Sequence, residues 1–92
     1  MLRIRYEKSF KKDYKSIIKR GYKEQDFKDV LKLLVNKQKL PQKYRDHGLK
    51  GEYIGFRECH IKSDWLLIYH VDDEELILYL TRTGTHADLF KK

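Results

Sequence analysis

Residues 55–83 read GFRECHIKSDWLLIYHVDDEELILYLTRT, and this stretch determines the predicted fold. Residues 55–61 alternate in the manner of a half-buried strand, and residues 65–71 are nearly all apolar, which is typical of a central strand covered on both faces. Four consecutive carboxylates at 72–75 indicate a hairpin turn, after which residues 76–83 return as a further strand. The stretch therefore predicts three consecutive strands of one antiparallel-rich sheet.

The segment before this stretch predicts one more strand and two helices. Residues 2–6 alternate apolar and basic side chains, as in a strand with one face in water. Ser9 is the predicted N-cap of a first helix, which carries an apolar stripe and ends at Gly21. Residues 24–36 repeat apolar side chains at helical spacing and form a predicted second helix. The order β-α-α-β-β-β, with an N-terminal helical hairpin packed on the sheet, predicts an α+β fold.

Length and composition fit one small domain. The chain has 92 residues, of which 40% are hydrophobic and 13% aromatic, so we expect residues 1–92 to form a single domain with one modest core. Cys59 is the single cysteine, which excludes an intramolecular disulfide. No apolar run approaches the ~20 residues of a membrane span, and the N-terminus has no apolar signal core. We therefore expect a cytoplasmic protein without a membrane partner.

Charge is distributed unevenly along the chain. Residues 1–50 contain sixteen Lys and Arg against six Asp and Glu, a balance of +10, whereas residues 51–92 contain five against eight, a balance of −3. The two halves sum to the net charge of +7. An excess of this size attracts polyanions through counterion release. Nucleic acid is therefore the first candidate partner and an acidic protein the second.

Three of the four histidines lie where predicted elements end. His47 is in the polar loop that follows Pro41, His60 is near the end of a strand, and His86 follows the last strand. Because imidazole donates or accepts a proton near neutral pH, these three are candidate acid–base groups. His70 lies inside the apolar strand and is interpreted as structural.

No metal site and no cofactor are predicted. The sequence has no HxH, HExxH or CxxC spacing, and one cysteine with dispersed histidines does not suit structural zinc. Cys59 and His60 are adjacent in a strand and so point to opposite faces. Cys59 is therefore interpreted as a small packing residue and not as a nucleophile.

The C-terminal segment combines a phosphate-binding residue type with a proton-transfer group. Arg82 ends the last strand and can bind a phosphate through two N–H groups, and His86 follows after a glycine turn. Phe90 either offers a ring for a nucleobase to stack on or packs the tail onto the core, and spacing does not separate the two. Asp64 either orients an imidazole, takes part in proton transfer, or is a turn residue before its strand.

Three motifs occur together in this chain. Residues 44–51 read YRDHGLKG; residues 55–60 and 64–69 read GFRECH and DWLLIY; and residues 82–90 read RTGTHADLF. These motifs resemble the Asp-His loop, the strand pair and the C-terminal signature of the YafQ branch of the RelE/ParE superfamily, bacterial toxins of type II toxin–antitoxin pairs. The order of elements agrees as well, so the resemblance extends over essentially the whole chain.

The resemblance implies both a fold and a function. The fold would be the RelE-like microbial RNase fold, and the protein would enter the ribosomal A site, cut mRNA without a cofactor and inhibit translation. A cognate antitoxin would neutralise it, and operator DNA would be bound only through the toxin–antitoxin complex. By position, the functional residues of the family correspond to His47, His60, Asp64, Arg82, His86 and Phe90.

RNA can be cut without a metal ion when its 2′-hydroxyl attacks the adjacent phosphate. That step needs a general base, a general acid and a cation beside the phosphate. We expect His86 to be the acid or the base, with His47, His60 and Asp64 as its candidate counterparts and Arg82 beside the phosphate. The alternative is a non-catalytic ParE-like toxin that binds and inhibits DNA gyrase. A pure binder would have no need for three histidines at converging strand ends.

Overall fold

The computed structural model describes residues 1–90, which form a five-stranded sheet with two long helices on one face. The strand order is β1-β5-β4-β3-β2; β1 is parallel to β5, and the other neighbouring strands are antiparallel. The elements in chain order are β1 (Arg3–Tyr6), α1 (Lys8–Lys19), α2 (Glu24–Val35), β2 (His47–Gly48), β3 (Arg57–Lys62), β4 (Trp65–Asp72), β5 (Ile77–Gly84) and α3 (His86–Leu89). The predicted α+β order is therefore confirmed, with one short strand added.

Strand β4 is buried on both faces, as its apolar sequence predicts. Trp65 and Leu67 pack with the residues of α1 and α2, whereas Leu66 and Ile68 pack into a second, smaller apolar group on the opposite side. The second group is completed by Leu49, Tyr53, Phe56, Leu89 and Phe90. We call the side with α1 and α2 the helical face and the other side the open face.

The two helices bury the apolar stripes that their sequences predict. Phe10 and Ile17 of α1 and Phe27 and Val30 of α2 are buried, and the Phe10 and Phe27 rings lie 5.7 Å apart. Helix α1 ends at Lys19, and the chain turns away at Gly21, whose φ of +101° is accessible because glycine has no Cβ.

The predicted N-cap role of Ser9 is wrong. Helix α1 begins at Lys8 with Glu7 as its cap residue, so Ser9 lies inside the first turn. Its hydroxyl instead donates to the carbonyl oxygen of Thr81 at 2.7 Å. That carbonyl is available because Ile68 pairs with Arg82 and Tyr69 with Leu80, which leaves Thr81 as a β-bulge in β5.

Strand β2 is absent from the sequence prediction. It contains only His47 and Gly48, which pair with Glu58 and Arg57 of β3, and two residues are too few to show an alternating pattern. The loop before it also contains a 3₁₀ turn, Gln42–Tyr44. The segment predicted as an ordered loop is therefore mostly a loop, which contains this turn and ends in a two-residue edge strand. Within residues 1–90, every helix is too short or too polar to cross a lipid bilayer.

Candidate active site

The sheet register brings the predicted site residues together on the open face. His47 pairs with Glu58, Glu58 with Ile68, and Ile68 with Arg82, so these residues form one row across four strands. In the next row, His60 pairs with Leu66 and Leu66 with Gly84, two residues before His86. Residues separated by up to 39 positions thus lie on one surface because cross-strand partners share a face.

The β-bulge at Thr81 decides on which face Arg82 lies. Leu78 and Leu80 of β5 point to the helical face, and strict alternation would send Arg82 there as well. The extra residue in the ladder shifts the alternation by one and makes Arg82 the partner of Ile68 on the open face. The bulge is therefore what allows Arg82 to take part in this site.

Glu58 is a buried carboxylate between two of the histidines. Its residue exposure is 4%, and Oε1 lies 3.4 Å from Nε2 of His47 and 3.6 Å from Nε2 of His60. The Nδ1–H of His47 donates to the carbonyl oxygen of Arg45 at 2.7 Å, which fixes the ring of this otherwise exposed residue. The sequence reasoning missed Glu58; the available signal was its position on the same strand face as Phe56 and His60.

His60, His86 and Phe90 form a second set of contacts at the end of the sheet. The imidazole centroids of His60 and His86 lie 6.3 Å apart, and the His86 and Phe90 rings lie 5.6 Å apart. His86 is exposed, whereas the side chain of His60 is only 14% exposed. Through Glu58, His60 connects the two sets, so the three predicted histidines belong to one continuous group.

Phe90 packs against the sheet and remains half-buried. It belongs to the open-face apolar group with Leu66, Ile68 and Leu89, and its ring lies 6.3 Å from that of Tyr53. The packing alternative for Phe90 therefore has a structural basis, while its partial exposure leaves part of the ring at the surface beside His86.

Arg82 is held by a carboxylate of the helical hairpin. Asp13 of α1 accepts hydrogen bonds from Nε of Arg82 at 2.6 Å and from Nη2 at 3.2 Å, and also from the backbone N–H of Thr83. The Asp13 hydrogen bond raises the pKa of the guanidinium, with a smaller contribution from Tyr53. Arginine has five N–H donors, so two bonds to Asp13 fix its position and leave donors for a phosphate.

Asp64 contacts the backbone of the tail. Its Oδ1 accepts the backbone N–H of His86 at 3.3 Å, which supports the first residue of α3. Asp64 therefore positions His86 through the main chain, a contact outside the alternatives weighed from the sequence.

A capping box fixes α3. The Thr85 side chain accepts the N–H of Asp88, and the Asp88 carboxylate accepts the N–H of Thr85 and pairs with Arg20, the residue after α1. A Cβ on Gly84, whose φ is +153°, would lie 2.9 Å from an Asp88 oxygen, so glycine is required there. Helix α3, and with it His86, is thus tied to the end of α1.

We expect Asp88→Asn to loosen this tail and lower stability by about 0.5–1 kcal/mol, because it removes a negative charge from the N-terminal turn of α3 and the ion pair with Arg20. Hydrogen bonds from Thr85 first, and then from Arg20, lower the pKa of Asp88 below its ordinary 3.8. A lowered pKa stabilises the fold above 3.8 and loses that contribution as the pH falls through the folded value. Thermal unfolding should therefore separate wild type from Asp88→Asn at neutral pH and not in strong acid. A difference that persists in acid would contradict the assignment.

The loop that carries His47 is fixed by a partly buried group of hydrogen bonds. Asp46 accepts hydrogen bonds from Nη2 of Arg57 at 2.9 Å and from the hydroxyl of Tyr69. Burial and the Asp46 hydrogen bond raise the pKa of Tyr69, so its hydroxyl remains a donor. The neighbouring residue His47 is therefore placed by strands β3 and β4.

Cys59 lies outside the site. It is fully buried on the helical face, and desolvation raises the pKa of its thiol, as expected for a packing residue. In residues 1–90, no three His, Cys, Asp or Glu side chains are grouped so that they could hold a metal ion.

Known proteins to which this chain is similar include bacterial toxins. A family model described as "Bacterial toxin of type II toxin-antitoxin system, YafQ" matches residues 2–91. The mRNA interferase toxin YafQ of Escherichia coli K12 is 41% identical over 88 residues, covering 95% of this chain and 94% of that protein. A crystal structure of a metal-bound Helicobacter pylori toxin is 43% identical with a TM-score of 0.91, covering 98% of this chain and 100% of that one. The toxin chain of the E. coli DinJ–YafQ toxin–antitoxin complex is 40% identical with a TM-score of 0.86, covering 98% and 99%.

Proposed function

The chain belongs to the YafQ family of bacterial type II toxins, and from this premise we propose that it is an endoribonuclease that cuts mRNA in the ribosomal A site and inhibits translation. It acts in the cytoplasm as a single domain of residues 1–92. The E. coli relative carries the name mRNA interferase toxin, which supports RNA as the substrate.

The convergence of three imidazoles on one sheet face carries this proposal. His47 and His60 both lie beside Oε1 of Glu58, and His86 faces His60 across 6.3 Å. Proton transfer in RNA cleavage needs two groups on opposite sides of a phosphate, and imidazoles can perform both roles near neutral pH. An arrangement of this kind has no use in a protein that acts only by binding.

The proposed reaction is transfer of a phosphodiester onto the neighbouring 2′-oxygen. A general base removes the 2′-hydroxyl proton, the 2′-oxygen bonds to phosphorus, and the bond to the 5′-oxygen breaks as a general acid protonates that oxygen. The products are a 2′,3′-cyclic phosphate and a 5′-hydroxyl, so no water molecule or redox partner is consumed. His86 is one of the two proton-transfer groups, and His60 or His47 is the other.

The remaining polar groups support these histidines and the phosphate. Glu58 stabilises a positive charge on His47 or His60 as a proton is taken up, because it is a buried carboxylate at short range. Arg82 donates to the phosphate from the position in which Asp13 holds it. Asp64 keeps His86 in place by accepting its backbone N–H.

A cognate antitoxin is the proposed protein partner. The E. coli relative has been crystallised as the DinJ–YafQ toxin–antitoxin complex, and operator DNA would be bound only through a complex of this kind. The E. coli relatives are named mRNA interferase toxins, so the gyrase alternative has no support from them. Residues 1–50 carry a balance of +10, and the basic helices α1 and α2 with the loop that follows them are the proposed docking surface for ribosomal RNA or for an acidic antitoxin.

Cleavage of mRNA on programmed ribosomes tests the proposal. We expect the purified protein to cut mRNA within or beside the A-site codon, to leave the same mRNA intact without ribosomes, and to produce 5′-hydroxyl ends. Toxin treated with EDTA and returned to a magnesium-only ribosome buffer should cut at an unchanged rate. Intact mRNA together with altered DNA supercoiling would instead favour a gyrase inhibitor, and loss of cleavage after EDTA would contradict the metal-independent mechanism.

A further inference from the structure

A row of aromatic side chains crosses the open face next to the proposed site. The rings of His70 and Tyr79 lie 4.8 Å apart and are parallel to within 10°, and the ring of Phe56 lies 5.3 Å from that of His70. Phe56 directly precedes β3, His70 belongs to β4 and Tyr79 to β5, and all three are only partly buried. The sequence predicts His70 as a structural residue, and the mechanism proposed above uses none of the three.

The row continues to a basic residue at the edge of the sheet. Tyr79 pairs with Arg5 of β1, so Arg5 lies on the same face beyond Tyr79. One face of the Tyr79 ring lies against His70, and the other is turned toward β1. Arg5 is exposed and makes no ion pair with any residue in the described part of the chain.

The aromatic row lies one step from the groups that would cut RNA. His70 follows Ile68 by two positions in β4, and Ile68 belongs to the row of Glu58 and Arg82. Successive residues on one strand face are about 7 Å apart, which is the scale of one nucleotide step in an extended RNA strand. An RNA strand that follows β4 with its scissile phosphate at Arg82 would therefore carry a neighbouring nucleotide over His70 and Tyr79.

We propose that the row Phe56–His70–Tyr79, with Arg5, is a second nucleotide subsite. The aromatic rings bind the base of the nucleotide next to the scissile phosphate by stacking, and the Arg5 guanidinium binds the phosphate of that same nucleotide. The proposal rests on RNA being the substrate. Stacking on an aromatic ring tolerates any base, because every base has a π-face, and arginine is suited to phosphate. The subsite would therefore add affinity for single-stranded RNA without fixing its sequence.

The test measures RNA binding without ribosomes. The probe is a single-stranded hexanucleotide with 2′-O-methyl riboses, which cannot be cleaved by 2′-hydroxyl attack, and with 2-aminopurine as a fluorescent base. We expect Tyr79→Ala and Tyr79→Leu to weaken binding about tenfold and to abolish the quenching of 2-aminopurine, and Arg5→Gln to weaken binding and flatten its salt dependence. Tyr79→Phe should bind like the wild type because it keeps the ring.

Tyr6→Ala is the matched control. Tyr6 is an exposed tyrosine of β1 whose ring contacts Phe10 on the helical face, so its removal should leave RNA binding unchanged. Thermal unfolding identifies a variant that fails to fold, and Tyr79→Leu preserves apolar volume if Tyr79→Ala does not fold. The proposal would be overturned if the wild type did not bind the probe, or if the Tyr79→Leu and Tyr6→Ala variants bound it equally. It would also be overturned if the Tyr79 variants lost affinity for the antitoxin alone. Failure of ribosome-programmed cleavage with the Tyr79 dependence intact would instead overturn only the proposed function.

Discussion

Replacing His86 by alanine should lower the rate of mRNA cleavage on programmed ribosomes by about 10²- to 10⁴-fold, the range for loss of one general acid or base. His86 is exposed, and its ring lies near only the rings of His60 and Phe90 among the aromatic side chains of residues 1–90, so its removal loses little packing. Alanine also keeps the backbone N–H that Asp64 accepts. The effect should therefore be on the chemical step.

Three measurements separate this outcome from unfolding. The melting temperature, the affinity for the cognate antitoxin and the affinity for ribosomes should remain those of the wild type. Glu74→Ala, an exposed substitution in the β4–β5 turn and outside the proposed docking surface, serves as a control and should leave cleavage unchanged. Cleavage at the wild-type rate by the His86→Ala variant would remove His86 from the mechanism.

Replacing Glu58 by glutamine should lower cleavage by about 10²-fold while the fold remains intact. Glutamine keeps the volume of the buried side chain and removes the negative charge that lies within 3.6 Å of His60 and 3.4 Å of His47. An imidazole that takes up a proton beside this residue would then lack its counter-charge, which is costly at a buried site. Because the change acts on charge developed during the reaction, kcat should fall more than the affinity for ribosomes.

The β4–β5 turn supplies the matched control for this variant. Glu75→Gln makes the same chemical change at an exposed position and should not change the rate. Glu58→Asp retains the charge at a slightly different distance and should recover part of the activity. Equal rates for the Glu58→Gln variant and the wild type would show that the carboxylate serves packing alone, and a large drop in melting temperature would show that it serves stability.

The elements that the sequence predicts well are those with a long regular pattern. Strand β4 and helix α2 combine many apolar residues with one clear period, and burial of those residues leaves few alternatives for the fold. Strand β2 has two residues and exists only because β3 provides a partner, so no local pattern could indicate it. The hydroxyl of Ser9 fits a cap by residue type, but tertiary contact with Thr81 determines its role.

Some residues of the candidate site could likewise be predicted from the sequence, whereas others are recognised only in the fold. Histidines are conspicuous by residue type, so His47, His60 and His86 could be selected from the sequence. Glu58 is one of fourteen acidic residues, and it stands out only because the fold buries it between two of these histidines. The position of Arg82 depends on the bulge at Thr81, which strand periodicity does not encode. Ion pairs such as Asp13–Arg82 join residues far apart in the chain, and only the folded arrangement shows them.

The parallel pairing of β1 with β5 has a consequence for the synthesis of this protein. The first strand of the chain hydrogen-bonds with the last, and β5 separates β1 from the rest of the sheet. Because non-local pairs form only after both partners are available, a nascent chain cannot complete its sheet while β5 is still within the exit tunnel. Arg82 and His86 lie in or after that same strand. Completion of the sheet and assembly of the candidate site are therefore both postponed until β5 has left the ribosomal exit tunnel.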